Sequence, residues 1–288
     1  MYRLFFFCFT LLLFVACNKT YNSTLDIPYQ GDKLVLNGII SPDSVRFQLT
    51  KSLPLNGQFT LTDYYVNNGQ IWIEDENNQK VNLKLSSNGF DFFQNIKILK
   101  PEQKYKIFAS ADGFKTVETS WITIPKLVQL SDNQQELKQL NCDCNKLNLF
   151  FQDTEKEKNY YNISFVALKK AKKVTADIFL ANKAVINNNC YTYIGVFDDN
   201  CFDGQKTTLE YGFMREINNI DNNKVSFDTL QCRFGAVSKD AFDYKNSQNK
   251  GAEFIEGINE PLPSYTNITN GYGFVFAQNW QNYFIKVK

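Results

Sequence analysis

Apolar and polar residues alternate along the first half of the chain in short segments typical of β-strands. The segments are residues 34–40, 45–49, 70–74, 81–85, 105–109 and 117–124. Turn-forming clusters of Asn, Asp, Ser and Gly separate them. Six or seven short strands at this spacing predict an antiparallel β-sandwich of the immunoglobulin-like or prealbumin-like type over residues 33–125.

The second half repeats this pattern after Pro125, which is a poor residue for a central strand. Its apolar segments are residues 146–151, 160–168, 174–180, 191–197, 207–213, 225–232, 273–277 and 283–287. Residues 236–250 predict a helix that ends before Gly251, and residues 127–140 fit either a short helix or a loop. We therefore expect a mainly β protein of two antiparallel sandwich-like domains, the second at 126–288 with one or two short helices.

The amino terminus has the pattern of an export signal. Arg3 precedes an apolar run at 4–16 that is too short to span a bilayer as a mature helix. Phe14-Val15-Ala16-Cys17 resembles a bacterial lipobox, differing from the commonest form at Phe14, where leucine is usual. Residues 1–16 are thus predicted to be a lipoprotein signal peptide, Cys17 the lipidated residue and 17–32 a polar tether. An ordinary cleaved signal with Cys17 in a disulfide, or an uncleaved anchor, are the alternatives.

Charge and composition exclude several functions. Cleavage before Cys17 would remove Arg3 and no acidic residue, which leaves thirty basic and thirty acidic side chains. This balance gives no basic footprint for nucleic acid. The chain has no histidine, which excludes Ser-His-Asp and Cys-His catalysis and histidine-based zinc sites. Catalysis by paired carboxylates, by lysine or by tyrosine is not excluded.

Residues 199–204 contain a weak calcium motif. Counting from Asp199 as position 1 of an EF-hand loop puts Asp203 at position 5, Gly204 at 6 and Glu210 at 12. Cys201 stands at position 3, where an oxygen ligand is needed, and strands flank the segment. We therefore predict no metal here, and a turn in which Gly204 has a positive φ.

The remaining cysteines of the mature chain predict disulfides, because an exported protein meets an oxidising compartment. They are Cys142, Cys144, Cys190, Cys201 and Cys232. The preferred bridge is Cys190 to Cys201. Cys232 is predicted to pair with Cys142 or Cys144, and the pattern does not decide between them.

Two further surface features are candidates for binding. Lys169-Lys170-Ala171-Lys172-Lys173 lies between two predicted strands and is read as a solvated hairpin tip, with contact to anionic lipid or polysaccharide as the alternative. Most aromatic residues near the carboxyl terminus are expected in the core. Tyr265, Tyr272 and Trp280 lie near turns and could instead form a rim that binds sugar or a partner.

Short motifs along the mature chain resemble, in their order, the Bacteroidetes outer-membrane lipoproteins grouped as domain of unknown function 4249. They are the signal ending at Cys17, Leu36-Asn37-Gly38 with Ile40-Ser41-Pro42, Ile71 to Asp75, Lys100-Pro101 to Tyr105, Ile122 to Pro125, Asp199 to Gly204, Ser238 to Tyr244, Glu260-Pro261, Asn267-Ile268 and Gly271 to Phe274. Members are often encoded beside TonB-dependent transporters, which implies a role in uptake or surface assembly. The resemblance carries over no catalytic residues.

These observations lead to one expected function with two alternatives. We expect a non-enzymatic outer-membrane lipoprotein without a cofactor, acting as an accessory or binding partner of a TonB-dependent nutrient-uptake system. The face of the membrane is left open. The alternatives are a surface adhesin or glycan-binding protein, with polysaccharide as partner, and a glycan hydrolase with two carboxylates about 5 to 9 Å apart across a cleft.

Overall fold

The structure is a computed structural model, and it describes most of the chain after residue 30. The described residues are 31–54, 58–66, 68–85, 91–131, 136–139, 144–174, 183–187, 190–214, 216–218, 224–252 and 265–287. They are mainly β, as the sequence predicts. Residues 1–30, which contain the predicted signal, Cys17 and most of the tether, lie outside the described residues.

Eight strands and a short 3-10 helix at Leu61–Tyr64 form the first half. The strands are β1 Leu34–Ile40, β2 Ser44–Lys51, β3 Gln70–Asp75, β4 Lys80–Asn82, β5 Asp91–Asn95, β6 Lys104–Ser110, β7 Val117–Thr119 and β8 Ile122–Thr123. In β2 the apolar residues Val45, Phe47 and Leu49 are buried, while Arg46 and Gln48 between them are exposed. The alternation of apolar and polar residues in the sequence therefore matches the alternation of side chains between the core side and the solvent side of the strand.

The second half contains the remaining strands and one α-helix of the described residues. The strands are β9 Glu136–Gln139, β10 Cys144–Gln152, β11 Tyr160–Lys169, β12 Lys172–Val174, β13 Lys183–Asn187, β14 Cys190–Tyr193, β15 Gly195–Asp198, β16 Lys206–Met214, β17 Glu216–Asn218, β18 Lys224–Ser226, β19 Thr229–Val237, β20 Ile268–Thr269 and β21 Val275–Lys286. Helix α1 spans Lys239–Ala252, close to the predicted helix. The helical option for 127–140 is wrong over the described residues there, which contain no helix and include β9.

One sheet runs through both halves of the protein. It has eight strands in the order β12-β11-β19-β21-β1-β2-β5, with β15 beside β11. The halves meet where β1 and β21 pair in parallel, with Gly38 opposite Val275 and Ile40 opposite Ala277. This parallel pair departs from the purely antiparallel arrangement that the sequence predicts.

Two further sheets cover this long sheet and enclose two hydrophobic cores. A six-stranded sheet, β20-β7-β6-β3-β4 with β8 beside β6, covers the first half. A five-stranded sheet, β14-β13-β16-β10-β9, covers the second. β17 and β18 pair as a separate hairpin. Each half is thus a sandwich of two sheets.

The chain returns to the first half after residue 265. Ile268, Val275 and Ala277 are buried in the first core, among residues of 34–124. The predicted domain bounds stay a prediction, and the structure adds this carboxy-terminal segment to the first sandwich. Within the described residues, no helix has the length and apolar content that crossing a membrane requires.

Candidate functional site

A cleft of about 660 Å³ lies where residues 121–128 cross from the first half to the second. One wall is the end of the first sandwich, including Glu102 and Trp121. The opposite wall is the loop between β10 and β11, and a third wall combines the end of β19 with the first turns of α1. The volume falls in the range of about 300–1,000 Å³ usual for small-molecule sites.

Aromatic side chains from three separate segments contribute to the cleft. Trp121 is 47% exposed and presents its ring to solvent. Tyr160 is half-buried, with its ring centre 5.0 Å from that of Phe242 in α1. Tyr265 is half-buried on the helical wall. Flat apolar surfaces of this kind can stack against a ligand ring.

The charged groups of the cleft are organised in ion pairs. Lys126 lies between the two halves, with its Nζ 3.2 Å from a Glu102 carboxylate oxygen and 3.9 Å from one of Glu157. The hydrogen bond to Glu102, and then the nearby carboxylate charges, raise the pKa of Lys126. On α1, Lys239 pairs with Asp243 one turn later, and that hydrogen bond raises the pKa of Lys239.

Asp240 is held by two donors on the carboxy-terminal segment. The hydroxyl of Tyr265 donates a 2.7 Å hydrogen bond to Asp240 Oδ1, and Asn267 Nδ2 donates one of 3.0 Å. Burial, followed by this bond to the carboxylate, raises the pKa of Tyr265. Tyr265 therefore stays a neutral hydrogen-bonding group at physiological pH.

Lys158 connects the cleft to a carboxylate cluster behind it. Its ammonium group lies 2.5 Å from Asp199 Oδ1 and 3.1 Å from Asp198 Oδ2. Burial on its own would lower the pKa of Lys158, but the hydrogen bonds to these two carboxylates outweigh it and the pKa is raised.

The carboxylate cluster contains two of the three acidic residues of the weak calcium motif, and one residue that the sequence did not indicate. Oxygens of Asp153, Asp199 and Asp203 lie within 4.8 Å of one another. Tyr161 and the backbone N–H of Gly204 donate to Asp153, and the N–H of Asn159 donates to Asp199. Burial raises the pKa of Asp153. These oxygens already accept protein donors, so the cluster fastens two loops together.

Glu210 does not join this cluster, so the EF-hand spacing is not realised. Glu210 lies within β16 opposite Asn148 and pairs with Lys146 on the neighbouring strand. The segment after Gly204 continues as an extended strand, which carries position 12 of the supposed loop away from position 1. Gly204 has the predicted positive φ, at +69°.

The three predicted rim aromatics lie in three different environments. Tyr265 lines the cleft. Tyr272 is exposed beside β1, with the ammonium of Lys33 5.0 Å from its ring centre. Trp280 lies on the face of the long sheet, where the guanidinium carbon of Arg233 is 3.3 Å from its ring centre. The structure therefore does not bring them together as one rim.

The cysteine predictions have mixed outcomes. Cys232 is a free thiol in the second core, so its predicted pairing with Cys142 or Cys144 is wrong. Its strand places it on the core face, and burial raises the pKa of the thiol. Cys142 and the side chains of Cys144 and Cys190 lie outside the described residues. The bridge from Cys190 to Cys201 stays a prediction.

Comparison with known proteins identifies the family. The model of the family described as a domain of unknown function, DUF4249, matches residues 21–283. The chain belongs to this family, as the order of its motifs suggested. No curated protein matches the chain.

Among solved structures, the chain is similar to a two fibronectin type-III domain segment from chicken tenascin. The identity is 12%, the match covers 89% of this chain and 100% of that one, and the TM-score is 0.21.

Proposed function

We propose that this protein is a lipid-anchored, non-enzymatic binding protein of the outer membrane. It holds a polar small molecule in the cleft between its two halves and serves a TonB-dependent uptake system as an accessory. The observation that carries the proposal is the cleft itself, which combines an exposed Trp121 with hydrogen-bonding and charged groups from both halves. Such a mixture of one apolar face with convergent polar groups suits a ring-containing polar ligand.

The state of the carboxylates favours binding over glycan hydrolysis. A hydrolase needs one protonated carboxyl group and a second carboxylate free to act on the sugar. In the cleft, Glu102 and Glu157 share Lys126, while Asp243 pairs with Lys239. Asp240 accepts hydrogen bonds from Tyr265 and Asn267. These ion pairs and hydrogen bonds occupy the four carboxylates and orient them toward protein groups rather than toward a sugar.

Native mass spectrometry of the protein purified from its own outer membrane tests the cleft. We expect the wild-type protein to carry a bound small molecule, and the Trp121→Ala variant to lose most of it because the stacking surface is gone. Trp72→Ala is the matched control, since Trp72 lies in β3 outside the cleft lining. A wild-type protein without any adduct, or equal loss in both variants, contradicts the proposal.

The anchor is tested separately from the cleft. The Cys17→Ala variant lacks the thiol that would be acylated, and we expect it to leave the membrane fraction and to incorporate no labelled fatty acid. Several acyl chains, each stabilised by about 0.8 kcal/mol per buried methylene, would otherwise make attachment effectively permanent. Unchanged fractionation of Cys17→Ala contradicts the anchoring proposal and leaves the cleft proposal standing.

A further inference from the structure

The hairpin between β11 and β12 carries four lysines that are all exposed. We call Lys169, Lys170, Lys172 and Lys173 the basic tip. Lys169 Nζ donates to Ser226, and the carboxylate of Asp228 accepts a hydrogen bond from the backbone N–H of Lys170. Within the described residues none of the four ammonium groups forms an ion pair. Four ammonium groups thus cluster at the tip, and the nearby carboxylate of Asp228 offsets part of their charge.

The turn at the tip has a backbone conformation that its two residues disfavour. Lys170 has φ +48° and Ala171 has φ +60°. A two-residue hairpin turn with two positive φ values strongly prefers Asn-Gly or Gly-Gly. Non-glycine residues in this conformation cost free energy, and such strain is often retained at functional sites.

Strand register extends the positive charge onto the outward face of the long sheet. Lys173 pairs with Leu168, Leu168 with Thr229, and Thr229 with Lys286. Directly paired residues project on the same side, and neighbouring strands are about 4.8 Å apart. Lys173 and Lys286 thus lie at the two ends of a row of paired residues across four strands, and their backbones are about 14 Å apart.

Apolar and aromatic surface lies in the next row of the same face. Val166 pairs with Gln231, and Gln231 with Phe284. Phe284 is 63% exposed, against the expectation that the carboxy-terminal aromatics are mostly core. Lys173 and Lys286 share this face, whereas Lys169 and Lys172 pair with each other and project to the other side at the end of the sheet. We call the basic tip together with Phe284 and Lys286 the basic face.

The basic face is remote from the cleft and from the start of the first sandwich. Strand β11 begins at Tyr160 in the cleft and reaches Lys169 nine residues later, about 30 Å away. β21 begins beside β1, where Val275 pairs with Gly38, and reaches Lys286 about 36 Å further on. The described chain enters β1 at Leu34, and because β1 runs parallel to β21, this entry lies at the other end of the long sheet from Lys286.

We propose that the basic face binds an anionic polysaccharide. Its carboxylate or phosphate groups pair with the lysines, and sugar rings contact the exposed ring of Phe284. The choice of polysaccharide over the lipid of its own membrane rests on the proposed anchor and on the entry of the described chain into β1, at the other end of the long sheet. The proposal does not depend on the cleft.

The test measures binding of the full-length protein, in neutral detergent, to immobilised polygalacturonate. We expect binding that weakens as salt is raised, because exposed charges are screened. Replacing the basic tip by glutamine (K169Q/K170Q/K172Q/K173Q) should weaken binding about tenfold or more, since four cation contacts are lost. Phe284→Ser should weaken it further.

The matched control is K84Q/K97Q/K100Q/K115Q. These four lysines are also exposed and form no ion pair within the described residues, but they belong to the first sandwich. We expect a change of less than about twofold. Equal loss in both quadruple variants, no binding of polygalacturonate, or binding only to micelles doped with phosphatidylglycerol would overturn the proposal.

Discussion

Both backbone hydrogen-bonding groups of Val275 are bound by the side-chain amide of Asn267. The N–H of Val275 donates to Asn267 Oδ1 over 3.0 Å, and Asn267 Nδ2 donates to the carbonyl oxygen of Val275 over 2.7 Å. Asn267 Nδ2 also donates to Asp240 in the cleft wall. One amide therefore fixes the start of β21, the strand that joins the two halves, and connects it to the cleft.

Asn267→Ala should lower the free energy of unfolding by about 2 kcal/mol, because two buried backbone groups lose their partners. Urea denaturation of the two proteins measures the difference. Asn68→Ala is the control, since Asn68 Nδ2 donates to Asp112 at an exposed site, and should cost less than about 0.5 kcal/mol. Equal effects at both positions would contradict this role of Asn267.

Gly204→Ala should destabilise the protein by about 1–3 kcal/mol, because φ is +69° and an added Cβ would lie 2.7 Å from Glu155 Cγ. Gly212→Ala provides a matched control. Gly212 lies in β16, and an added Cβ would meet nothing within 4 Å. Thermal unfolding should separate the two variants, and a tolerated alanine at 204 would argue against the turn described here.

The raised pKa of Asp153 makes stability depend on pH. Burial, with the charges of Asp199 and Asp203, holds this pKa above the unfolded value of 3.8. The folded state thus binds the proton more tightly than the unfolded state, and the contribution of Asp153 to stability falls as pH rises from 3.8 through the folded pKa. The free energy of unfolding of wild type, relative to Asp153→Asn, should decrease over that range. A difference that is flat or increases with pH would contradict it.

Cys232 should resist alkylation in the folded protein. Its thiol is buried and its pKa is raised, and the thiolate is the form that reacts. Peptide mapping after iodoacetamide should find Cys232 unmodified in native buffer and fully modified after denaturation in guanidinium. Rapid labelling in native buffer would mean that the second core opens readily at β19.

The sequence pattern predicted strands incorrectly at two places. In both, polar residues are buried and bond to partners far away in the chain. Residues 273–277 and 283–287 were predicted as two strands because Gln278 and Asn279 interrupt the apolar pattern. Both are buried within one strand, and Asn279 Nδ2 donates to the carbonyl oxygen of Pro125 over 3.0 Å. Strand β5 was missed for a similar reason: its first residue, Asp91, is buried and pairs with Arg46. The strands with simple alternation, such as β1 and β2, were predicted correctly.

The cleft could not be predicted, because its walls come from segments that are far apart in the sequence. Nothing in the sequence around Trp121 indicates that Tyr160 and Asp240 line the same cleft. Asp153 joins Asp199 and Asp203 only through the pairing of β10 with β16. The calcium motif, which is local in the sequence, therefore includes Asp199 and Asp203 but contains Glu210 and lacks Asp153.

Affinity purification of the tagged, lipidated protein from its own outer membrane, read by mass spectrometry, tests the proposed function most directly. The account predicts that a TonB-dependent transporter co-purifies. Recovery of the lipoprotein without a transporter, under conditions that keep other outer-membrane complexes intact, would contradict a role in uptake.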